Sequence, residues 1–398
     1  MFKNKIILAI AAATVAITAC EAIYEQPIPS QESIPVDQNS VSLSKAMTVA
    51  NHYVQGRCMF IPTKAKGLDI KDYFTLEDAN DLPIIHTINY KRGGFVIVSG
   101  DDRTYPILAY SENGYLPRNS DSYPGGLKIW LEDTCAEINY LRKNGDKADS
   151  LTKSIWERFE KENSATRSQP NDTVFWENLY DNSIGPLIST TWHQDTPYND
   201  TRQWVEYGNS YVHAAVGCVP VAIAQLMRFF GYPTSYSWSL MPNNTANSYL
   251  YALINDIWTY LGSNIEPGYP ASSVPHSFDI GYFLKNSFGY ASATQINYTK
   301  YSDYVLVRDE LLENERPVIF KGTSGGHGHA WVCDGVHEWQ EDVVIEGQHH
   351  VYGHMQFHHI WGWQDNSPNG WYAFSAFSPT DTEYNLGHNM KLVYNIHP

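Results

Sequence analysis

The run His213-Ala-Ala-Val-Gly-Cys-Val-Pro-Val-Ala-Ile-Ala-Gln-Leu-Met-Arg-Phe-Phe-Gly-Tyr-Pro233 decides the fold of the second half of this chain. From Val219 to Phe230 it is nearly all apolar, which predicts a buried helix. Pro220 fits the first turn of such a helix, and Gly231 ends it. Cys218 therefore stands at a helix N-terminus, where free backbone N–H groups and the helix dipole favour a thiolate. A nucleophilic cysteine needs this placement, although a lone cysteine is as often a buried structural residue.

A candidate base for this cysteine lies in a second run, Gly325-Gly-His-Gly-His-Ala-Trp-Val-Cys-Asp-Gly335. The run reads as a glycine-rich loop that enters a strand. It places His329 at the strand start, facing a cleft, where a distant base can meet a cysteine nucleophile. Trp331 and Cys333 share the face of His329 on such a strand. We therefore expect Cys333 to line the core, and Cys218 to be the nucleophile.

Two shorter stretches add candidates for supporting roles. Gln194 lies in Trp192-His-Gln-Asp-Thr-Pro-Tyr-Asn199, and its amide can donate to a developing oxyanion. Trp361-Gly-Trp363 follows His329, and an indole there can cover the base and keep water from its hydrogen bonds. Taken alone, Gln194 reads equally well as a loop amide, and either Trp as a core or surface aromatic.

Taken in order, these patterns resemble those of the streptopain family of papain-like cysteine peptidases. The matching runs are W-x-Q-x-x-P-Y-N at 192–199, H-A-A-x-G-C at 213–218, G-H-A-x-V-x-D-G at 328–335 and W-G-W at 361–363. Gly93-Gly-Phe-Val-Ile-Val-Ser-Gly-Asp101 resembles the family's inhibitory propeptide. The resemblance covers most of the chain after residue 40. It implies an α+β, papain-like fold, autoinhibition by the propeptide, endopeptidase activity without a metal, and the roles given above for Cys218, His329 and Gln194.

The chain departs from the family immediately before W-G-W. The family commonly has an Asn there, which orients the catalytic His, whereas this chain has Ile360. An isoleucine cannot hydrogen-bond an imidazole, so its presence should weaken the base rather than abolish it. His359, Gln364 and Asn366 are candidates for a substitute. Restoring the family residue by Ile360→Asn is expected to raise the rate or leave it unchanged.

The segment between Asp334 and Ile360 is longer than the family's short hairpin and is rich in histidine. Its histidines are His337, His349, His350, His354, His358 and His359. A histidine cluster can bind metal, but the spacing fits no metal motif, since His337-Glu338 lacks the second His of HExxH. A polar surface loop is the better interpretation. A His-rich metal-binding protein is accordingly the weakest functional hypothesis, and we expect no metal and no cofactor.

The N-terminus carries a targeting signal. Lys3 and Lys5 precede an apolar run too short to cross a bilayer, and Ile17-Thr-Ala-Cys20 ends it as in a bacterial lipoprotein signal. We expect lipidation at Cys20, and the alternative is a plain secretory signal. The predicted segments are a signal peptide at 1–20, a tether at 21–40, an inhibitory propeptide domain at 41–165, a processing linker at 166–178 and the papain-like catalytic domain at 179–398.

The propeptide segment shows α+β patterning. Apolar spacing predicts helices at about 43–54, 126–143 and 151–162, with strands at 86–90, 95–99 and 107–110. Small polar residues at 163–173 are typical of an exposed linker, where proteolytic nicking concentrates. Export permits a Cys58–Cys135 bridge, and the alternative is that both are small buried apolar residues.

Composition limits the partners. The formal net charge of −16 argues against a nucleic-acid partner, which would require a basic face. We predict an exported cysteine endopeptidase zymogen, extracellular or at the cell envelope, that contacts the membrane only through its lipid anchor. Its expected partners are a protein or peptide substrate and its own propeptide. The alternative is a catalytically weakened or inactive homologue that binds peptide or protein as a surface-anchored lipoprotein.

Overall fold

The structure, a computed structural model, describes residues 38–56, 69–144, 147–160, 174–262, 264–265, 272–324, 327–363, 368–376 and 388–398. The predicted signal peptide with Cys20, most of the tether, and the linker up to residue 173 lie outside these residues. The suggested Cys58–Cys135 bridge also involves a residue outside them, whereas Cys135 itself is buried in a helix. Of the helices that are described, none is both long and apolar enough to cross a membrane.

The N-terminal region, residues 38–160, is built from helices and strands near the predicted positions. The helices are α1 (Leu43–Gly56), α2 (Gly125–Asn144) and α3 (Ser150–Glu160), and the strands are β1 (Ile70–Glu77), β2 (Pro83–Tyr90), β3 (Phe95–Ser99) and β4 (Ile107–Ser111). The three predicted helices and strands β2 to β4 are confirmed to within a few residues. Strand β1 was not predicted, because it is an edge strand whose residues are exposed or half-buried and no apolar run marks it.

The C-terminal region, residues 174–398, contains the remaining elements. Its strands are β5 (Val174–Ile184), β6 (Trp204–Tyr207), β7 (Ser210–His213), β8 (Asn264–Ile265), β9 (Ser272–Ser273), β10 (Ser292–Asn297), β11 (Val318–Ser324), β12 (His327–Ile345), β13 (Gln348–Ile360), β14 (Gly370–Ala373) and β15 (Lys391–His397). Its helices are α4 (Cys218–Phe230), α5 (Ser248–Leu261), α6 (Ile280–Phe288) and α7 (Lys300–Leu312).

One 11-stranded sheet joins the two regions. Its order is β1-β2-β3-β4-β14-β13-β12-β11-β15-β10, and β5 pairs with β12 off this path. The junction is antiparallel, with Trp371 of β14 opposite Tyr110 of β4. Strand β12 therefore lies inside a continuous sheet, and the strand that carries His329 is supported on both edges.

The two faces of this sheet bury different cores. Val332 and Ile360 belong to a core that surrounds α4. Trp331 and Trp361 belong to a second core, which includes Leu127 and other residues of α2. Since neighbouring residues on a strand face opposite sides, α4 covers one face of β12 and α2 of the N-terminal region covers the other.

The histidine-rich segment is a regular hairpin, so its interpretation as a polar surface loop is wrong. Strands β12 and β13 pair from Val332 opposite Ile360 to Ile345 opposite Gln348. Glu346 and Gly347 form the turn with φ values of 50° and 80°, the left-handed pair that tight hairpin turns require. The sequence did not reveal these strands because polar residues alternate with aromatic ones along them. Strand β5 pairs with β12 as a third strand. We call residues 174–184, 337–345 and 348–356 the arm.

Candidate active site

Cys218 is the first residue of α4, as the sequence predicts. Gly217 caps the helix with φ of 94°, a conformation that residues with a side chain rarely adopt. The helix ends at Gly231 in the left-handed conformation, which confirms the predicted stop. The Cys218 side chain is half-buried and packs against the core around α4. Its sulfur thus lies at the positive end of a buried helix dipole, which favours a thiolate.

Gln194 lies beside the segment that leads to Cys218. The Val216 N–H donates to the Gln194 carbonyl over 2.8 Å, which fixes the two stretches to each other. The Gln194 side chain is buried at 3% exposure, and its Nε2 has no hydrogen-bond partner in the described part of the chain. A buried amide without a partner costs about 1–3 kcal/mol. This donor is therefore available for a ligand.

His329 lies on β12, opposite Gly322 of β11, and is buried at 5% exposure. Its Nε2–H donates to the Trp361 carbonyl over 2.9 Å. Burial lowers the imidazole pKa from 6.5 to about 4, although the bond to Trp361 acts in the opposite direction. The ring is therefore neutral near pH 7. Since a carbonyl only accepts, the proton is on Nε2 and the lone pair is on Nδ1.

The loop that carries Trp361 is held in place by its neighbours. The Trp361 N–H donates to the Asn369 side chain over 2.8 Å, and its Nε1–H donates to the Pro368 carbonyl over 2.9 Å. Gly362 packs on the first turn of α4, where an added Cβ would lie 3.0 Å from Val221 Cγ1. The carbonyl that orients His329 is thus fixed close to the N-terminus of α4.

Neither Ile360 nor His359 supplies the orienting group. The Ile360 side chain is buried at 2% exposure in the core around α4. His359 stacks on Trp361, with ring centroids 4.9 Å apart, and its Nδ1 accepts from Trp331. The other two candidates, Gln364 and Asn366, lie outside the described residues. The acceptor is instead a main-chain carbonyl, a group that no side-chain pattern reveals.

Aromatic side chains and the start of α2 pack around His329. Trp363 meets the His329 ring edge-on, with centroids 5.6 Å apart. Trp361 contributes its carbonyl to His329, and its ring packs on Trp331 at 5.5 Å. The start of α2 also packs on this residue, since an added Cβ at Gly125 would lie 2.8 Å from His329 Cβ. Sequence reasoning missed this contact, because Gly125-Gly126 reads only as a flexible helix start.

The His329 imidazole lies on the side of β12 that faces α2. It is stacked with Trp331 at 6.0 Å, on the face of β12 that α2 covers, whereas Cys218 packs in the core on the opposite face. In the described part of the chain, the His329 ring makes one hydrogen bond, and its partner is Trp361 rather than Cys218. The positive end of the α2 dipole at Gly125 further disfavours an imidazolium.

A buried carboxylate anchors α2 to the C-terminal region. Glu137 is buried at 1% exposure. It accepts from Lys300 Nζ at 2.7 Å, from the Tyr301 hydroxyl at 2.6 Å and from the Ala376 N–H at 2.8 Å. Breaking a buried ion pair from one side typically costs about 3–5 kcal/mol. The helix that covers His329 is therefore held by a strong polar anchor.

A buried lysine, also missed from the sequence, adds positive charge near the site. Lys321 of β11 is buried at 4% exposure, and its Nζ donates to the carbonyls of His276 and Phe278 over 3.0 and 2.7 Å. Burial lowers its pKa to about 8, and a negative charge on the Cys218 sulfur acts in the opposite direction. A protonated Lys321 would therefore favour the thiolate form of Cys218.

The remaining candidates do not form a reactive or metal-binding group. Cys333 is fully buried beside Trp331, and burial raises its thiol pKa well above the ordinary range. This agrees with the expectation that it lines the core. Within the described ranges, no group of three or more His, Cys, Asp or Glu side chains is placed to hold a metal ion.

Comparison with known proteins gives the family. Residues 38–138 match the Spi protease inhibitor family, and residues 192–236 and 234–372 match the Peptidase C10 family. Streptopain of Streptococcus pyogenes is 27% identical, over 74% of this chain and 75% of its own length. The thiol protease/hemagglutinin PrtT of Porphyromonas gingivalis is 22% identical, over 85% of this chain and 39% of its own length.

The fold also has a counterpart among solved structures. A fragment of Prevotella intermedia prointerpain A superposes with a TM-score of 0.54 at 20% identity, covering 82% of this chain and 99% of that one. The architecture is accordingly the α+β papain-like fold with an N-terminal propeptide. The chain belongs to the streptopain family of papain-like cysteine peptidases and carries an inhibitory propeptide domain of the Spi type.

Proposed function

We propose that this chain is the zymogen of an endopeptidase in which Cys218 is the nucleophile, His329 the base and Gln194 an oxyanion donor. The observation that carries the proposal is the buried Gln194 Nε2, which has no hydrogen-bond partner among the described residues, on a residue tied through Val216 to the helix N-terminus at Cys218. A buried donor with no partner fits a site that stabilises a charge appearing only during reaction.

In the proposed reaction, the Cys218 thiolate attacks the carbonyl carbon of a peptide bond. The carbonyl oxygen becomes an oxyanion, which the Gln194 Nε2–H and the Cys218 backbone N–H stabilise. When the tetrahedral intermediate collapses, the C–N bond breaks and the His329 imidazolium gives its proton to the leaving amine. A thioester between Cys218 and the acyl part of the substrate remains.

Water then cleaves the thioester. Neutral His329 takes a proton from the water as the oxygen attacks the acyl carbon, and the same donors hold the second oxyanion. The thiolate leaves as the carboxylic acid product forms, and the imidazolium is restored. The Trp361 carbonyl keeps Nε2 protonated throughout, so that Nδ1 is the atom that exchanges protons with Cys218 and with substrate.

In the zymogen, the N-terminal region opposes this chemistry at His329. The start of α2 covers the imidazole, and its burial keeps the ring neutral near pH 7. The propeptide domain, proposed as residues 41–165, would leave after cleavage in the predicted linker at 166–178, N-terminal to residue 174, because residues 174–178 begin β5 and pair with β12. The ring could then turn toward Cys218 and regain an ordinary pKa.

The alternative of a non-catalytic binding protein rested on Ile360. The Trp361 carbonyl offers His329 the acceptor that an Asn side chain would otherwise provide, which supports catalysis over binding alone. We further propose export through the signal at 1–20 with a lipid on Cys20. Metabolic labelling with a radioactive fatty acid, with Cys20→Ser as control, tests this anchor.

Active-site labelling of the processed enzyme tests the catalytic proposal. An electrophilic peptide probe should modify Cys218, and hydrolysis of a peptide substrate should stop in parallel. Cys218→Ala should remove both labelling and hydrolysis while the fold, followed by circular dichroism, is retained. Hydrolysis by this variant above the uncatalysed rate would disprove the assignment of the nucleophile.

A further inference from the structure

The arm is the part of the C-terminal region for which the catalytic proposal has no role. Its face toward the N-terminal region completes a hydrophobic core there. Val343 is fully buried and Tyr352 is 8% exposed, in a cluster whose other buried members all come from the N-terminal region. This contact lies apart from the one that α2 makes on His329.

His354 is at the centre of this contact. Its ring stacks on Tyr105 of the N-terminal region, with centroids 3.9 Å apart and planes inclined by 28°. Trp339 of the arm meets it edge-on at 4.8 Å. Part of the side chain stays at the surface, but Nε2 is buried and has no hydrogen-bond partner in the described part of the chain.

Among the described residues, the acids near this position are already paired with other cations. On the arm, Asp181 is paired with His337 at 2.7 Å. Glu341 is paired across the interface with Arg158 of α3 at 2.8 Å. In the N-terminal region, Asp101 is paired with Arg103, which lies two residues before Tyr105. His350 lies two residues before Tyr352 on β13 and therefore on the same face of the arm.

We propose that the arm is a second docking surface for the propeptide. While His354 is neutral, this contact between the arm and the propeptide stays closed, and protonation of His354 opens it. This proposal rests on the proposed function only in that residues 41–165 act as the propeptide. The partner is the domain already in contact with the arm, and the new element is the histidine that makes the contact sensitive to acid.

The direction of the effect follows from the contact. Burial, assisted by the nearby His337, lowers the pKa of His354 from 6.5 to about 3 in the closed state. Once the arm detaches, the ring meets water and its pKa returns toward 6.5. The docked state is thus fully favoured above pH 6.5 and loses its advantage as the pH falls from 6.5 to about 3. At pH 5, detachment should be favoured by up to about thirty-fold over its value at neutral pH.

The test uses the full-length chain with Cys218→Ala, so that no self-cleavage occurs. Histidine ring resonances are followed by NMR between pH 8 and pH 4, with the His354 signal assigned through His354→Phe. Amide hydrogen exchange at 103–111 and 350–356, corrected for the intrinsic pH dependence of exchange, measures detachment at pH 7.5 and pH 5. Phenylalanine keeps the ring stack on Tyr105 but cannot take a proton, and His354→Gln is a second neutral variant.

The expected result is that His354 stays neutral below pH 5, and that detachment rises by up to about thirty-fold at pH 5 in the parent chain. Neither neutral variant should show this rise.

His349→Phe is the matched control, because His349 lies on the opposite face of the same hairpin and is 71% exposed. This variant should respond to acid like the parent chain. A His354 that titrates near 6.5 without detachment, or an unchanged acid response in both neutral variants, overturns the proposal. Since the Cys218→Ala chain has no nucleophile, these results do not depend on whether the enzyme is active.

Discussion

Gly125 and His329 are in direct contact across the boundary between the propeptide and the catalytic domain. A Cβ added at Gly125 would lie 2.8 Å from His329 Cβ, and one at Gly126 would lie 2.6 Å from Trp361 Cζ3 and 2.7 Å from Trp331 Cε3. Real Cβ atoms do not approach other atoms this closely, so the two glycines allow α2 to lie on the imidazole and its aromatic neighbours. The covering of the proposed base therefore depends on the absence of two side chains.

Gly126→Ala should loosen the propeptide. The added methyl meets the rings of Trp331 and Trp361, and overpacking of this kind typically costs about 1–3 kcal/mol. The propeptide should then be held about five- to a hundred-fold more weakly. Hydrolysis of a small peptide substrate by the uncleaved chain, with the absence of cleavage checked on a gel, measures the effect.

Gly56→Ala is the matched control for this substitution. Gly56 ends α1 in the same domain, and an added Cβ there meets nothing within 4 Å. This variant should leave the uncleaved chain as inactive as the parent. If both variants behaved alike, the close contact at α2 would not be what restrains the enzyme.

Alkylation of Cys218 should depend on pH differently before and after processing. In the zymogen, burial lowers the His329 pKa to about 4, so above that pH no imidazolium is present to stabilise a thiolate. After processing, a thiolate–imidazolium pair can form and persist to lower pH. At pH 6 the processed form should react about tenfold faster with iodoacetamide, since the gain in thiolate outweighs its lower nucleophilicity.

His329→Ala in the processed enzyme provides the control for the alkylation experiment. This substitution should remove the faster alkylation of the processed form at pH 6. The remaining alkylation rate should rise only as the pH approaches the pKa of an ordinary thiol. Superimposable pH profiles for the zymogen and the processed enzyme would show that the propeptide does not act on this histidine.

The position of Cys218 could be predicted from sequence because it depends on local rules. An apolar run bounded by Gly217 and Gly231 forms a buried helix almost regardless of context, and its first residue is then at the N-terminus. His329 was predictable for a similar reason, since its glycine-rich approach and its apolar strand are continuous in the sequence.

The group that holds His329 could not be predicted in this way. The acceptor is the Trp361 main-chain carbonyl, and every residue has such a group. Its direction depends on Asn369 and Pro368, which follow in the chain and fold back on Trp361. The contact of Gly125 with His329 and that of His354 with Tyr105 join residues more than 200 positions apart in the sequence, and neither leaves a local pattern.

Gln194→Ala should lower kcat with little change in KM. The Gln194 Nε2 has no hydrogen-bond partner among the residues that the structure describes, and loss of one oxyanion donor typically costs about 10²- to 10³-fold in kcat. Steady-state kinetics of the processed variant on a peptide substrate measures this.

Gln203→Ala is the matched control for Gln194→Ala. Gln203 is exposed, and its carbonyl likewise accepts from the run before Cys218, through the Ala214 N–H. Its removal should leave kcat unchanged. A loss confined to KM in Gln194→Ala would assign Gln194 to substrate binding rather than to the oxyanion.

Ile360→Asn should not make a faster enzyme. The sequence alone allowed a gain in rate, but the Ile360 side chain packs in the core around α4, and the His329 Nε2–H already has an acceptor at Trp361. An asparagine at this position would bury an amide among apolar side chains, which costs about 1–3 kcal/mol in addition to the packing that is lost. We therefore expect an unchanged or lower kcat, together with a lower free energy of unfolding in urea. Ile360→Val, which removes one methylene without adding a polar group, should cost only about 0.5–1.5 kcal/mol and keep the parent kcat. A several-fold rise in kcat for Ile360→Asn would mean that the new side chain reaches His329 in the processed enzyme, and that the Trp361 carbonyl orients the imidazole only in the zymogen.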